Sequence, residues 1–493
     1  MQKNSYPSII ENIARHSLEN PTKLCLADGK KELSYEDVWN CVCGLADTLR
    51  QHGIKKGDCV IIECNQSVDY LVCEFAIQLI GAIFVPLEKN AALSRITEIA
   101  NDTKTKLHIG NSAVGELKGV EHIDINTATE ISKKVDVDSV EFPAGNDVAE
   151  ILFSTGTTGK SKGIVLTHRN DVAIAENVKY GTEMKPDNVE LIPMPLSHSH
   201  GLRRMYGNML NGSSVILLDG VMFLKKMYDL MDKYHVTSMD LSPTMLQIIF
   251  KLGKDSLGDY ANQLDYIQLG SAPLPEEDKL HLCRILPNAR LYNFYGSTEA
   301  GCSCILDFNT MGGKEGCIGK PTVNANFIVV DENRQEIKSS PDNLGLLASS
   351  GDINMREYFR APELTEEAMK DGFIYTKDLG YIDSEGFVYM LGRKDDVINF
   401  GGIKISPQEI EAVIIQNPII KDCALIGIPD KITGQKPKLF ISLEDGAEYD
   451  NKEFKSFLAE AVDANKQPAL IEIIDEIPRT FNGKIIRKDL VNR

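Results

Sequence analysis

The sequence predicts an α/β protein: a large multi-lobed N-terminal domain, with mostly parallel sheets flanked by helices and a β-rich lobe, followed by a small α+β C-terminal domain. Three observations support this prediction. Apolar strand-like runs alternate with helical patterns over residues 34–110 and again over residues 215–269, at the spacing of βαβ units. From about Leu346, short segments are separated by Gly and Asp. Nearer the C-terminus, helical and strand patterns alternate once more.

The first alternating region begins at a helix N-cap. Ser34 precedes a helical pattern that runs to about His52. The elements predicted after it are strands at 59–62, 82–87 and 106–109 and helices around 70–79 and 94–101. In the second region, strands are predicted from Val215, at 238–241 and at 266–269, with helices between them. This order of elements implies parallel sheets.

The Gly- and Asp-punctuated region predicts β-hairpins. Its turn signals are Asp371-Gly372, Ser384-Glu385-Gly386 and Gly401-Gly402. A domain boundary is predicted at the charged segment 392–396, which gives an N-terminal domain of residues 1–393 and a C-terminal domain of residues 394–493.

Composition narrows the class of protein. The chain has 493 residues, which is longer than a single core usually reaches, and a formal net charge of −18. That charge argues against nucleic acid or an anionic membrane as partner. Its 11 cysteines include no Cys-x-x-Cys pair, which favours reduced thiols over a zinc site. With neither an apolar leader nor a stretch of about 20 apolar residues, the expected location is the cytoplasm.

Residues 154–163 form the most informative segment. They follow an apolar strand at 149–153 and combine glycines, hydroxyls and lysines, which suits a loop that holds a polyphosphate. The segment is not a Walker A loop, because Ser161 stands where the second glycine of that motif would fall. The phosphate-binding residues predicted here are Ser154, Thr155, Gly156, Thr157, Thr158, Gly159 and Lys160.

Five further segments carry chemically useful groups in a fixed order. They are Gly270-Ser271-Ala272-Pro273-Leu274, Asn293-Phe294-Tyr295-Gly296-Ser297-Thr298-Glu299, Tyr375-Thr376-Lys377-Asp378-Leu379, Gly392-Arg393-Lys394-Asp395 and residues 478–487, which contain Gly483-Lys484. Each segment alone is a weak signal, since a Gly-Lys turn or a lone carboxylate is usually structural. Together, in this order, they are specific.

With these motifs the chain resembles the adenylate-forming superfamily, which comprises acyl- and aryl-CoA synthetases, adenylation domains of peptide synthetases, and luciferases. The resemblance extends from Leu33-Ser34-Tyr35-Glu36 to Lys484. It implies that a carboxylate attacks the α-phosphorus of ATP, giving an acyl adenylate and pyrophosphate. A thiol then displaces AMP, whereas a kinase or simple ATPase would release ADP.

The resemblance also assigns roles to individual residues. Residues 154–163 would hold the β- and γ-phosphates, Glu299 would bind Mg²⁺, and Thr298 would contact the α-phosphate. The remaining nucleotide contacts it implies are Tyr295 stacked on adenine, Asn293, Phe294 and Gly296 beside it, the backbone of Gly270, Ser271 and Ala272 at its edge, and Asp378 and Arg393 on the ribose.

In the first half-reaction Lys484 would bridge the carboxylate and the α-phosphate, where a mobile point charge is useful. In the second, the C-terminal domain would rotate about Asp395 and present Gly401 and Gly402 to a pantetheine chain. The thiol would belong to CoA or, alternatively, to the phosphopantetheine of an acyl or peptidyl carrier protein.

The substrate acid is expected to be a small molecule, and the sequence limits its chemical class only in part. The resemblance makes His198 a gate between the acyl pocket and the nucleotide, and the acidic residues typical of amino-acid activation are missing there. A helix is predicted after Gly201, with Arg203 on the flank of its apolar face and Arg204 pointing away. Arg203 in the acyl pocket would favour a polar, hydroxylated or second-carboxylate acid. A solvated or phosphate-facing Arg203 is the alternative, and the nearby methionines also fit a longer acyl chain.

A different class of function stays open at this point. Lys377 and Asn399 stand where relatives often carry Gly and Lys, so a nucleotide-binding regulator with a degenerate site is the alternative to an enzyme. Carboxylate-dependent exchange of pyrophosphate into ATP distinguishes the two.

Overall fold

The protein is described by a computed structural model over residues 5–89, 91–110, 117, 119–154, 162–310, 314, 316–401, 403–479 and 485–491. The chain divides into two compact units. The first contains Met1–Gly313, Ile318–Phe327 and Ser349–Ile374, and the second contains Lys314–Cys317, Ile328–Ala348 and Tyr375–Arg493. The boundary predicted at residue 393 falls inside the second unit and stays a prediction.

Helices occur along the whole described chain. They are α1 (Ile9–Glu19), α2 (Tyr35–Gln51), α3 (Val68–Leu79), α4 (Leu93–Thr103), α5 (His168–Gly181), α6 (Ser199–Asn211), α7 (Leu224–Tyr234), α8 (Pro243–Gly253), α9 (Glu276–Ile285), α10 (Pro362–Ala368), α11 (Pro407–Ile414), α12 (Asn451–Ala461) and α13 (Lys488–Val491).

The strands alternate with these helices in the first part of the chain and follow one another in the later part. They are β1 (Leu24–Ala27), β2 (Glu32–Ser34), β3 (Cys59–Glu63), β4 (Ile83–Leu87), β5 (Leu107–Gly110), β6 (Glu121–Asp124), β7 (Val148–Ser154), β8 (Lys162–Thr167), β9 (Val189–Ile192), β10 (Ser214–Leu217), β11 (Ser238–Leu241), β12 (Tyr266–Leu269), β13 (Arg290–Ser297), β14 (Gly301–Asp307), β15 (Cys317–Pro321), β16 (Asn326–Val330), β17 (Gly345–Ser350), β18 (Glu357–Tyr358), β19 (Met369–Lys370), β20 (Phe373–Ile382), β21 (Val388–Arg393), β22 (Ile398–Phe400), β23 (Ile403–Ile405), β24 (Ile420–Asp430), β25 (Gly434–Leu443) and β26 (Leu470–Ile473).

Two sheets of the first unit contain the predicted parallel strands. One has the order β18-β8-β7-β4-β3-β5-β6, in which β4 is parallel to β3 and β7, and β3 is parallel to β5. The other runs from β2 through β1, β10, β9, β11, β12 and β13 to β14, and β10, β9, β11, β12 and β13 are mutually parallel neighbours. The α/β prediction is confirmed.

Local sequence explains where α2 begins. Ser34 caps α2 in a reciprocal capping box with Asp37, as its position before the helical pattern predicts. The buried face of α2 includes Val38, Leu45 and Leu49, spaced at helical intervals. These side chains join a core that also contains residues of β3 and α3.

The second unit contains the predicted hairpins. β20 and β21 pair antiparallel around the turn at 384–386, and β22 and β23 pair antiparallel on either side of Gly401, whose φ of 60° suits glycine. A separate sheet has the order β23-β22-β25-β24, with β26 parallel to β25. α11 and α12 contribute Ile410, Ile414 and Phe454 to the apolar core beside this sheet.

All 11 cysteines are free, and most of them are buried, as expected for small apolar side chains. Within the described ranges, no helix combines the length and apolar character needed to cross a bilayer.

Candidate active site

Parallel strands of the first unit end close to the predicted nucleotide residues. Gly270 follows the last residue of β12, and Tyr295 and Gly296 lie near the end of β13. Since β12 and β13 are parallel neighbours, with Leu269 opposite Asn293, their carboxyl ends meet at one edge of the sheet. Ligands of α/β proteins bind at such edges.

The phosphate-loop prediction concerns a hairpin in the other sheet. β7 and β8 are antiparallel, with Phe153 opposite Gly163 and Ser154 opposite Lys162. Several predicted residues lie outside the described residues and keep their roles as predictions: Thr155, Gly156, Thr157, Thr158, Gly159, Lys160, Gly402 and Lys484. The side chain of Ser154 is likewise outside the description.

The N-terminus of α6 brings two predicted residues together. His198 is the N-cap of this helix, with extended backbone angles (φ −114°, ψ 150°). In the first turn, Ser199 Oγ lies 3.1 Å from Thr298 Oγ1. This contact places Thr298, the proposed ligand of the α-phosphate, against Ser199, the residue that follows His198 in the chain.

Glu299 is held in place from two sides. The hydroxyl of Tyr358 donates a 2.8 Å hydrogen bond to Glu299 Oε1, and the backbone N–H of Met355 donates to the carbonyl of Glu299 at 2.7 Å. Lys162 Nζ lies 5.7 Å from the centroid of the Tyr358 ring. The described residues contain no group of three or more His, Cys, Asp or Glu side chains that could bind a metal. A single carboxylate fits Mg²⁺, which takes most of its ligands from water and phosphate.

The Asn293–Gly296 segment divides into buried and accessible side chains. Phe294 is buried in the first unit, whereas Tyr295 is half-buried and packs edge-to-face on Phe327, with ring centroids 6.3 Å apart. Asn293 is also buried, and its Oδ1 has no hydrogen-bond partner in the described part of the chain. A Cβ at Gly296 would lie 2.0 Å from the carbonyl oxygen of Gly301, so only glycine fits there.

The loop after β12 contains a strained serine. Ser271 has a φ of 74°, in the left-handed region, and both Ser271 and Ala272 are exposed. Ser271 Oγ lies 2.6 Å from Nδ1 of His200, and Nε2 of His200 lies 2.8 Å from Oδ1 of Asp240. Sequence reasoning missed His200 and Asp240. The available signal was the position of His200, two residues after His198.

Asp378 and Arg393 meet in the second unit. They are directly opposed in the β20–β21 pair, and Arg393 Nε lies 3.5 Å from Asp378 Oδ1. Lys377, which stands where relatives often carry glycine, keeps the backbone pairing beside Asp378. Its carbonyl accepts a 2.7 Å hydrogen bond from the N–H of Lys394. Asp395 follows as an exposed residue of the turn after β21.

Arg203 has a different environment from the one predicted. Its guanidinium is fully buried, forms an ion pair with Glu150 of β7, and lies 2.9 Å from Asp171 Oδ1 of α5. Arg204, predicted to point away from the apolar face, is equally buried and forms an ion pair with Glu190 of β9. Both arginines are therefore neutralised within the protein, and the geometry gives no support to Arg203 as an acyl-pocket residue.

Burial and charge shift the pKa values around Arg203. Burial raises the pKa of Asp171 well above its usual value, and the nearby Glu150 raises it further against the opposing effect of Arg203. Burial also raises the pKa of Glu74. Although burial opposes the charge of Arg203, Glu150 and Asp171 raise its pKa. The guanidinium is thus the charge on which these buried carboxyl groups depend.

The family models match most of the chain. Residues 13–359 match the model described as AMP-binding enzyme, and residues 409–484 match the AMP-binding enzyme C-terminal domain. The fold and these matches define an adenylate-forming enzyme of the acid–thiol ligase class. The chain belongs to the AMP-binding enzyme family.

Characterised relatives span nearly the same length. The chain is 27% identical over 485 residues to the peroxisomal OPC-8:0-CoA ligase 1 of Arabidopsis thaliana, covering 94% of this chain and 88% of that protein. It is 26% identical over 473 residues to the 2-succinylbenzoate–CoA ligase of Geobacillus kaustophilus, covering 95% of each.

Solved structures show the same fold. ATP-bound MatB from Rhodopseudomonas palustris aligns with a TM-score of 0.87 at 24% identity, covering 98% of both chains. MenE from Bacillus subtilis, in complex with the acyl-adenylate intermediate OSB-AMP, aligns with a TM-score of 0.85 at 23% identity, covering 99% of this chain and 98% of that one. Together the comparisons confirm the predicted family and the enzyme class.

Removing the buried charge of Arg203 tests its structural role. We expect Arg203→Leu to lower the free energy of unfolding by about 3–5 kcal/mol, because Glu150 and Asp171 would lose their buried partner. Urea denaturation at neutral pH measures this change. The matched control is Lys225→Leu, which removes an exposed ion pair with Asp229 on α7 and should cost at most about 0.5 kcal/mol. Equal stability of the two variants would contradict the assignment.

Proposed function

We propose that this enzyme activates a small carboxylic acid with ATP to an acyl adenylate and transfers the acyl group to the thiol of CoA, releasing pyrophosphate and then AMP. The observation that carries the proposal is the placement of Glu299. Its carboxylate is held by Tyr358, and the preceding residue in the chain, Thr298, contacts the first turn of α6.

The first half-reaction requires two anions to approach each other. A carboxylate oxygen forms a bond to the α-phosphorus, and the bond from that phosphorus to the bridging oxygen of pyrophosphate breaks. Mg²⁺, when bound, neutralises charge on the phosphates. Glu299 orients that ion, Thr298 donates a hydrogen bond to the α-phosphate, and Lys484 supplies positive charge between the carboxylate and the α-phosphate.

Nucleotide recognition uses groups with matching hydrogen-bond polarity. Oδ1 of Asn293 is a buried acceptor, which suits the exocyclic amine of adenine, and the half-buried ring of Tyr295 offers a stacking face. Asp378 is an acceptor for ribose hydroxyls, and Arg393 is a donor beside it. Residues 154–163 hold the terminal phosphates.

The second half-reaction converts the acyl adenylate to a thioester. The thiol loses its proton to solvent and its sulfur bonds to the acyl carbon, the bond from that carbon to the AMP oxygen breaks, and AMP leaves. We assign the pantetheine contacts to Gly401 and Gly402 and the hinge to Asp395. The relatives reported above are named as CoA ligases, which favours CoA over a carrier protein as acceptor.

A panel of carboxylic acids tests this function. The assay measures acid-dependent exchange of labelled pyrophosphate into ATP, and then AMP release with CoA or with a holo-carrier protein. We expect exchange without any thiol and thioester formation with CoA. ADP as product, or nucleotide binding with no acid-dependent exchange over the whole panel, would contradict the proposal.

Replacing the proposed catalytic lysine should separate the two half-reactions. We expect Lys484→Ala to slow adenylate formation at least about 100-fold, because one positive charge is lost where negative charge develops. Thioester formation from supplied acyl adenylate should change much less. Rapid-quench measurement of each step checks this, with Lys488→Ala, at an exposed position in the same segment, as control. Full-speed adenylation by Lys484→Ala would refute the role.

Removing the hydroxyl that holds Glu299 should weaken metal binding. We expect Tyr358→Phe to raise the Mg²⁺ concentration needed for half-maximal pyrophosphate exchange about fivefold, since one hydrogen bond of about 1 kcal/mol is lost. The control Tyr260→Phe removes a hydroxyl that donates to Asp232 at an exposed position, and it should leave the Mg²⁺ dependence unchanged. An unaltered Mg²⁺ dependence in Tyr358→Phe would show that Tyr358 does not position Glu299.

A further inference from the structure

Two arginines flank the proposed catalytic lysine in the sequence and pair with carboxylates of the second unit. Arg479 lies five residues before Lys484, and Arg487 lies three residues after it. Arg479 donates to both carboxylate oxygens of Asp422, from Nε at 2.7 Å and from Nη2 at 2.6 Å. Arg487 donates to both oxygens of Glu411, from Nη1 at 2.8 Å and from Nη2 at 2.9 Å. We call these two bidentate contacts the arginine clamps.

Both clamps attach the chain to the same strand, β24. Asp422 is itself a residue of β24. Glu411 lies on α11, and its Oε1 accepts a 2.6 Å hydrogen bond from the backbone N–H of Leu425 on β24. The chain is therefore fixed to one strand at Arg479 and again at Arg487.

The two attached ends are also paired with each other. Arg479 and Ile485 form an antiparallel bridge, and the N–H of Ile486 donates to the carbonyl of Pro478 at 2.8 Å. Ile485 also packs against an apolar core that includes side chains of β24. Consecutive Cα atoms are about 3.8 Å apart, so the position of Ile485 limits where the backbone of Lys484 can lie.

The two clamps differ in burial. The side chains of Arg487 and Glu411 are 13% and 11% exposed, whereas those of Arg479 and Asp422 are 38% and 24% exposed. Burial raises the pKa of Glu411, and the charge of Arg487 opposes that rise. A buried ion pair adds little stability compared with well-packed apolar side chains, whereas a bidentate pair fixes the direction of both groups. Precise placement is therefore what these pairs contribute.

Arg487 also reaches the segment next to the proposed hinge. Its Nε lies 3.8 Å from Oδ2 of Asp396, the residue that follows Asp395. A rotation at Asp395 moves Lys484 along a defined path only if the chain around the lysine stays fixed to the part that rotates. Arg487 meets this requirement, because one guanidinium contacts both Asp396 and Glu411.

We propose that Arg479 and Arg487 are positioning residues for Lys484, and that the clamps keep its ammonium within reach of the carboxylate and the α-phosphate during adenylate formation. This inference rests on the proposed function, which assigns the ammonium to the first half-reaction. A charge stabilises a transition state most when its position is fixed before the reaction begins. The clamps have no corresponding task in thioester formation.

The variants neutralise each clamp without leaving a buried charge alone. Arg487→Gln combined with Glu411→Gln removes both charges of the buried pair, and glutamine keeps an acceptor for the N–H of Leu425. Arg479→Gln is sufficient at the more exposed clamp, where water reaches Asp422. Melting followed by circular dichroism identifies the variants that are folded at the assay temperature. Arg479→Gln decides the question if the buried double variant does not fold.

Measuring the two half-reactions separately distinguishes positioning from stability. Acid-dependent pyrophosphate exchange reports adenylate formation, and rapid quench with supplied acyl adenylate and CoA reports thioester formation. We expect each clamp variant to lower the exchange rate about tenfold and to change the thioester rate less than about twofold. The matched control is Lys438→Gln, which breaks a 2.7 Å ion pair with Glu472 between β25 and β26 and should keep both rates.

Combination with Lys484→Ala gives a readout that a structural role would not produce. If the clamps act only through the lysine ammonium, adding Arg479→Gln to Lys484→Ala leaves the residual rate of adenylate formation unchanged. A clamp that merely stabilises the domain would lower that residual rate by the same factor as in the wild type.

The results distinguish failure of the clamps from failure of the proposed function. A wild type without acid-dependent exchange for any acid would overturn the function. With an active wild type, three results would overturn the clamps alone: full-speed exchange by the folded clamp variants, an equal loss in both half-reactions, or a further loss in the Lys484→Ala background. A loss confined to adenylate formation and absent from that background supports the proposal.

Discussion

The buried ion pairs of Arg203 constrain the elements around the site. Its guanidinium joins Glu150 of β7 to Asp171 of α5, and Tyr206, which lies on α6 like Arg203, donates to Glu150 at 2.9 Å. β7 leads into the segment that we assign to the terminal phosphates, and α6 begins at His198 beside Thr298. A rotation of α6 that moved His198 would leave buried carboxylates without their cation, which is costly. The ion pairs of Arg203 thus hold α6 at a fixed distance from β7 and α5.

The sequence predicts elements well where the signal is local. The strands at 238–241 and 266–269 have the predicted bounds. Ser34, a small polar residue directly before a helical pattern, is the N-cap of α2 as predicted. Local propensity and periodicity determine such features, because neighbouring residues in the chain supply the partners. The hairpin between β20 and β21 is predictable for the same reason, from its Ser-Glu-Gly turn.

Contacts between distant parts of the chain could not be predicted in this way. Helical periodicity placed Arg203 at the flank of an apolar face, yet Glu150 lies 53 residues earlier in the chain. The Tyr358–Glu299 and His200–Asp240 contacts similarly join side chains that only the tertiary fold brings together. A single sequence identifies residues whose side chains could bind or catalyse. Whether the charge of such a side chain is available to a ligand depends on its partners in the folded protein.

That distinction explains why Arg203 is poorly suited to recognise a polar group of the substrate. An arginine between two buried carboxylates has both its charge and its donors committed, so it stabilises the fold and offers little to a substrate. The positive charge that catalysis needs must then come from another residue, and we assign it to Lys484.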